Sequence, residues 1–265
     1  MSRTKNSDPV IALLTDFGTS DEYAGVMKGV ILSIAPSARI VDISHNVEPQ
    51  NVEEAGYLLW ASYQHFPEGS VFVAVVDPGV GTERGILGLR TRRHTFLAPD
   101  NGLLDFILSE EHASSVVLLR DAGAYVASNI SKTFHGRDIF APGAAWLAKG
   151  VPLSRLGVRR AIPKVASPFV SSDAPAARGR ILHVDKYGNI VTNFRWKKSE
   201  RERGVVLRDR RLRRWIENYE EGPRGVPCLI IGGTGLVEIV VKRESAAALL
   251  GVKAGETLGV LRRNH

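Results

Sequence analysis

The run Val71-Phe72-Val73-Ala74-Val75-Val76 is apolar at every position, and it constrains the fold more than any other stretch of the chain. A strand with one face in water alternates apolar and polar residues. One without alternation is covered on both faces, as in a parallel sheet under crossover helices. The flanking pattern agrees. Val10 to Leu14 reads as a short apolar strand. Tyr23, Val26, Met27, Val30, Ile31 and Ile34 then recur at three- and four-residue spacing, which predicts an amphipathic helix with Thr19 or Ser20 as N-cap and Pro36 just past its end. Arg39 to Ile43 reads as a second strand and Val52 to Tyr63 as a second helix, completing a βαβαβ order. Ile86 to Arg90 and Thr95 to Ala98 are further strands. A turn at Pro99-Asp100-Asn101-Gly102, a short helix, a strand over Ser115 to Leu119 and a helix over Phe140 to Lys149 close this half.

Between Pro163 and Gly179 the composition shifts to proline, serine and alanine, as in an inter-domain linker. Beyond it, short strands are separated by glycines: Arg180 to Val184, Ile190 to Phe194, Gly204 to Leu207, Val226 to Ile231, Val237 to Val241 and Thr257 to Leu261, with Ala246 to Leu250 as one helical turn. The expected organisation is an α/β domain over residues 8–164, built on a mainly parallel sheet with flanking helices, a linker over 165–179, and a smaller all-β, barrel-like domain over 180–265. With 265 residues, 44% of them hydrophobic, the chain can fill two such cores.

No stretch approaches the roughly 20 apolar residues of a membrane helix, and Met1 to Pro9 lacks the apolar segment of a secretory signal, so a soluble cytoplasmic protein is expected. The single cysteine, Cys228, rules out an internal disulfide framework and a cysteine-based zinc site. It lies in an apolar run, as an inert buried thiol does. Of the net charge of +7, the excess concentrates in Lys197 to Arg214. Acids are mixed in and aromatic residues are nearly absent, so this reads as a solvated surface excursion, and nucleic acid is not an expected partner.

The tightest chemical signal follows the buried run at once: Asp77-Pro-Gly-Val-Gly-Thr-Glu-Arg84 puts a carboxylate and a guanidinium at a strand-to-loop transition, where open α/β sheets hold ligands. Thr15-Asp16-Phe17-Gly18, Asp100-Asn101-Gly102 and Phe134-His135-Gly136-Arg137-Asp138 are comparable loops in the same half. Singly, each fits ordinary turn chemistry. Asp16, Asp77, Asp100 and Asp138 together would suit a magnesium phosphohydrolase, but no P-loop and no repeated acidic pair accompany them. GxGxxG after the first strand and a GxSxG elbow are absent as well. In the second half, Asp185-Lys186-Tyr187-Gly188-Asn189 is either a hairpin turn or a polar binding rim.

Taken in order, LLTDFGTSDEYAGVMKG, VDPGVGTERG, APDNGLL, FHGRDIFAP and VDKYGNIVTN resemble the S-adenosylmethionine (SAM) hydroxide adenosyltransferases, the adenosine-forming SAM hydrolases related to the SAM-dependent fluorinase and chlorinase. The resemblance spans about Ile11 to Leu261. It implies an N-terminal α/β domain, a C-terminal β-barrel, and a homotrimer with ligand sites where one subunit's first domain meets its neighbour's second. The implied reaction is attack of water on ribose C5′, with the sulfonium as leaving group, giving adenosine and methionine. SAM is then the substrate, and no cofactor or metal is called for.

The resemblance implies roles residue by residue. Asp77, Arg84 and His135 match the family's Asp-Arg-His set: Asp77 orients the water and shares its proton with His135, while Arg84 holds Asp77 ionised and stabilises the nucleophile. Asp16 matches the acid that holds the ribose hydroxyls, Asp21 a counter-charge to the substrate's amino group, and Gly136 a backbone position in the nucleophile pocket. Asp185 and Asn189 would hold the methionine end from the neighbouring subunit. Gly233 and Thr234 fall where the family contacts adenine, with Gly233 in place of an expected serine. Gln50 replaces an aromatic residue that stacks on adenine in the halogenases. Those relatives also carry an uncharged residue at the place of Asp77, whose charge about 4 Å from a halide costs several kcal/mol in a partly dry site. A non-catalytic adenosine- or SAM-binding protein and a SAM-dependent halogenase are the alternatives.

Overall fold

A computed structural model describes residues 9–119, 123–171 and 178–261. The chain divides into two compact units, Met1–Ala166 and Ser167–His265.

The first unit holds a sheet of strands β1 (Val10–Thr15), β2 (Arg39–Ser44), β3 (Val71–Val75), β4 (Ile86–Arg90), β5 (Thr95–Pro99), β6 (Ser115–Leu118) and β7 (Val158–Arg160), in the order β2-β1-β3-β5-β4-β6-β7. The four strands β2, β1, β3 and β5 are parallel, and β4, β6 and β7 extend the sheet antiparallel. The unalternated run is accounted for by two covered faces. Val71, Val73 and Val75 join Ile11, Leu13, Met27, Ile31 and Phe140 in one core, beneath helices α1 (Tyr23–Ile34) and α4 (Ala141–Ala148). The alternate residues Phe72 and Ala74 are equally buried on the other side, where Phe72 stacks on Phe96 and Tyr63 of helix α2 (Val52–Tyr63) meets the same ring. A short helix α3 (Asp105–Leu108) packs on α2. Because β1 feeds β2 on one side while β2 feeds β3 on the other, the strand order reverses between β1 and β3. That reversal opens a crevice at their carboxyl ends.

Two local expectations change. Helix α1 begins after Glu22 with no side-chain cap, since the chain is still bending through Asp16–Glu22 where Thr19 and Ser20 were expected to cap it. Gly18, at φ 72°, donates its N–H to His45 O at 2.6 Å and keeps that loop turned away from helix. Helix α4 is preceded by a π-helical turn, Gly136–Phe140, in which the Ala141 N–H reaches Gly136 O. Such single π turns recur at functional sites.

The second unit contains β8 (Val170–Ser171), β9 (Arg178–Val184), β10 (Ile190–Thr192), β11 (Phe194–Arg195), β12 (Gly204–Leu207), β13 (Arg210–Leu212), β14 (Cys228–Ile231), β15 (Val237–Val240) and β16 (Thr257–Leu261). Seven of them form an antiparallel sheet in the order β13-β12-β16-β9-β10-β15-β14, and β8 pairs with β11. Leu212 and Leu229, from the two outermost strands, share one apolar core with Ile181, Ile190 and Val205, so the sheet curls into a barrel-like shape. Helix α5 (Ala246–Leu250) adds Ala246 and Leu250 to that core. The basic segment is more than a surface excursion: it contains the β12–β13 hairpin, and Val205, Leu207 and Leu212 are buried. Its charges lie on the exposed turn and flanks of a strand pair whose apolar residues point inward, which a tally of charge alone does not reveal. Cys228 is buried, and burial pushes its thiol above the ordinary range. Among the described residues no helix is long and apolar enough to cross a membrane.

Candidate active site

A cavity of about 280 Å³ opens at the carboxyl ends of β1 and β3, lined by Asp16, Phe17, Gln50, Asp77, His135 and Gly136 among others. Three sequence segments meet there. The first is the loop after β3. Val80 N–H bonds Asp77 O and Thr82 N–H bonds Gly79 O, which turns the chain back so that Arg84 returns to Asp77. Gly81 sits at φ 77°, and a Cβ there would lie 2.1 Å from Lys132 O. Only glycine permits the β3 loop to rest directly on the segment that leads to His135.

Arg84 joins the segments. Its Nε donates to Asp77 Oδ1 at 2.8 Å and its Nη2 to Asp77 Oδ2, a two-pronged pairing in which Asp77 is 5% and Arg84 11% exposed. Nη2 also lies 2.9 Å from His135 Nδ1, and Nη1 points to Gly85 O at 3.4 Å. A guanidinium can only donate, so His135 Nδ1 accepts, and the neutral imidazole carries its proton on Nε2. Burial and the Arg84 charge hold the His135 pKa below its ordinary value, against a smaller opposing pull from Asp77. The resemblance gives Arg84 two tasks, and its bonds here serve the first: it braces Asp77 and His135 and is not among the cavity-lining residues.

The second segment is the Asp16 turn. Asp16 Oδ2 accepts the Gln50 N–H at 2.9 Å, and Gln50 holds a left-handed φ of 64°. Strained backbone of this kind concentrates where ligands are held. The third segment brings Phe134, which packs with Phe17 and Tyr23 at ring separations of 6.0 and 5.1 Å. Gly136 lies under them, since a Cβ there would stand 3.1 Å from both Met27 Sδ and the Phe134 ring.

Other expected residues lie elsewhere. Asp21 is exposed ahead of α1 and does not line the cavity. Asp100 pairs with Arg160, and Asp138 with Arg137 and the Ser131 N–H, so the four aspartates do not gather. Among the described residues no three His, Cys, Asp or Glu side chains are placed to share a metal ion.

In the second unit, Asp185 and Asn189 line a larger groove of about 560 Å³ with Tyr187, Tyr219, Arg243 and Ser245. Both readings of that motif hold. Asp185 Oδ1 accepts the N–H groups of Tyr187 and Asn189, each at 2.9 Å, and so builds the β9–β10 hairpin whose rim faces the groove. Gly188 is required there, because a Cβ would stand 2.0 Å from Ser245 Oγ. Gly233 and Thr234 line neither cavity; Gly233 is exposed with open space around it, and Thr234 Oγ1 is buried without a partner. Two residues escaped the sequence reading. Glu238 is buried beside Tyr219 Oη at 3.5 Å, and burial, then the Asp185 charge, pushes its carboxyl up. An acid inside the apolar run Leu236 to Val241 was the available signal. The other is His45, buried beneath the Asp16 turn, which no local pattern marks.

Comparison with known proteins matches residues 11–157 to the SAM hydroxide adenosyltransferase N-terminal domain and residues 179–259 to the SAM hydroxide adenosyltransferase C-terminal domain. The chain is 35% identical over 260 residues to a protein of Thermus thermophilus named (R)-S-adenosyl-L-methionine hydrolase, covering 95% of this chain and 99% of that one. A crystal structure titled as an uncharacterized conserved protein from Thermotoga maritima superposes with a TM-score of 0.84 at 35% identity, covering 95% of this chain and all of the other. At 27% identity the chain also matches a fluorinase of Actinoplanes sp., over 96% of this chain and 98% of that one.

Proposed function

The chain belongs to the SAM hydroxide adenosyltransferase family, and on that premise we propose that it cleaves S-adenosyl-L-methionine with water to adenosine and L-methionine. The observation that carries the reading is the Arg84 bridge, which aligns Asp77 and His135 at the mouth of the cavity that also holds Asp16. The sulfonium is already a good leaving group, so the protein needs to hold a water in line with C5′ and C5′ in line with sulfur. Asp77 keeps acceptor capacity beyond its two bonds to Arg84 and orients the water. As the new C–O bond forms, the water becomes strongly acidic, and a carboxylate is base enough to take its proton. His135, with Nδ1 engaged by Arg84, offers Nε2–H as a donor to the nucleophile's oxygen. The C5′–S pair leaves with methionine, and the proton passes from Asp77 to solvent.

Selection against halide rests on this chemistry more than on repulsion. Arg84 neutralises much of the Asp77 charge, so the penalty expected of an isolated carboxylate shrinks. What remains is a hydrogen-bond acceptor, which a water can satisfy and a halide ion cannot. Asp16 would accept bonds from the ribose hydroxyls, Gly136 would line the nucleophile's place, and Asp185 with Asn189 would hold the amino acid end. Asp21, Gly233 and Thr234 are contacts only if ligand or a neighbouring subunit reaches them. The first unit's cavity falls just under the roughly 300–1,000 Å³ usual for ligand pockets. An open site of that size leaves room for completion from a neighbour, and the homotrimer that the family resemblance implies would bring the groove of a neighbour's second unit to each site. A cytoplasmic location accords with the single cysteine.

Purified protein is incubated with each sulfonium epimer of SAM, because the named Thermus relative is an (R)-S-adenosyl-L-methionine hydrolase. Adenosine and methionine in equal amounts are expected. Asp77→Ala and His135→Ala should abolish turnover and keep adenosine binding. A protein that binds adenosine without turning over either epimer is the non-catalytic binder, and 5′-chloro-5′-deoxyadenosine formed in chloride reveals a halogenase.

A further inference from the structure

We infer that His45 is a positioning residue for substrate binding: it fixes the turn that presents Asp16, and it rests on the reading that Asp16 holds the ribose. His45 is 4% exposed and follows the last residue of β2. Its Nδ1 lies 2.8 Å from Oγ1 of Thr15, the last residue of β1, which is itself fully buried. The same oxygen accepts the Phe17 N–H at 3.3 Å. The Thr15 hydroxyl has one proton, and giving it to Nδ1 leaves the oxygen's lone pairs for Phe17. That orientation places Nε2–H toward Asp42, whose Oδ1 is 3.1 Å away but out of full hydrogen-bond alignment. Asp42 in turn takes the Lys28 ammonium at 2.6 Å.

The backbone around this chain repeats the same connection. Gly18 N–H bonds His45 O at 2.6 Å, and Val47 N–H bonds Thr15 O at 3.4 Å. Asp16 therefore sits between Thr15 and Gly18, which both bond His45, while the loop continuing from His45 supplies the Gln50 N–H that binds Asp16 Oδ2 at 2.9 Å. The long-range anchors of the Asp16 turn thus come from His45 and the five residues after it, and the Phe17 N–H is held one step removed, through Thr15 Oγ1. Any residue at this position could make those main-chain ties; what the imidazole adds is the Nδ1 bond that holds the Thr15 hydroxyl, and through it the Phe17 N–H. A buried imidazole whose Nδ1 is answered by a hydroxyl, which itself holds a loop N–H, sets the geometry of that loop.

The test separates ribose recognition from general damage. Adenosine and 2′,3′-dideoxyadenosine are titrated calorimetrically into wild-type protein and into the His45→Gln, His45→Asn, Thr15→Val and Asp16→Asn variants, with melting temperatures recorded for each. A glutamine amide falls near the place of Nε2 and loses Thr15, whereas an asparagine amide falls near Nδ1 and keeps it. His45→Gln should weaken adenosine about tenfold and leave dideoxyadenosine unchanged. Thr15→Val cuts the same link from the other side with little change of shape and should give the same selective loss, and His45→Asn should restore most of the affinity. Equal weakening of both nucleosides, or no weakening in His45→Gln and Thr15→Val, overturns the assignment. If Asp16→Asn itself fails to distinguish the two nucleosides, the ribose role of Asp16 falls and the His45 role with it. If Asp16→Asn distinguishes them and His45→Gln does not, only the His45 role is lost.

Discussion

Replacing Gly81 with alanine should disconnect the Asp77 loop from His135 while leaving the fold intact. Gly81 lies at φ 77°, where an L side chain costs roughly 1–2 kcal/mol. Its Cβ would also stand 2.1 Å from Lys132 O and 3.0 Å from Lys132 C. Real Cβ atoms essentially never come closer than 3.0 Å, and the obstacle is main chain, so the two segments must part by about 1 Å. The Arg84–His135 contact of 2.9 Å spans that same gap and should open. A misplacement of about 1 Å in a reacting array is worth on the order of a hundredfold in rate. Gly69→Ala separates the two effects, because Gly69 is at φ 89° with nothing within 4 Å of its Cβ. Turnover by chromatographic adenosine release and melting temperature are measured for both variants. Gly81→Ala should lose about a hundredfold in kcat, Gly69→Ala none, and both should melt a few degrees lower. A Gly81→Ala enzyme with wild-type kcat would refute the claim that this loop contact sets the catalytic geometry.

Two further outcomes follow from the ionisable groups. His94 is fully buried against Phe72 and Tyr63 with neither ring nitrogen partnered, and burial pushes its pKa from 6.5 down to about 4. The unfolded chain takes this proton first, so stability is full above pH 6.5 and is lost as pH falls toward 4, by about 3 kcal/mol. Urea midpoints at pH 5 and pH 7 should differ less in His94→Phe than in wild type; an unchanged difference contradicts this. Arg84→Met removes one of the two causes that lower the His135 pKa, leaving burial. The His135 ring titration, followed by NMR, and the acid limb of kcat should both move up toward 6.5, with turnover down about a hundredfold or more; a titration that stays in place argues that the two side chains do not touch.

Much of the fold is written locally. The apolar run before Asp77 demanded a sheet covered on both faces, and the helical period from Tyr23 to Ile34 gave the body of α1 and its end before Pro36. What escaped depends on long-range partners. Thr19 and Ser20 look like caps, but Gly18 is tied to His45 from another strand and the helix starts later. The β13 strand hid in the basic run because its outward arginines mask Leu212. At the site, the ordered family motifs named Asp77, Arg84, His135 and Asp16, and the structure gathers them. The same motifs held Asp100 and Asp138; Arg137, the neighbour of Asp138 in the motif, engages it, while Asp100 is taken by Arg160, an ion pair 60 residues apart that no spacing rule predicts. His45 stays invisible in sequence because burial, not type, makes it notable, whereas Glu238 left one mark, an acid within the apolar run Leu236 to Val241.

The central claim is that water attacks ribose C5′ and displaces methionine. Reaction of SAM in water enriched in oxygen-18, with mass analysis of the nucleoside, tests it directly. Adenosine should carry one heavy oxygen at the 5′ position, methionine should be unlabelled, and Asp77→Ala should give no product. Release of free adenine or 5′-methylthioadenosine in place of labelled adenosine would contradict it.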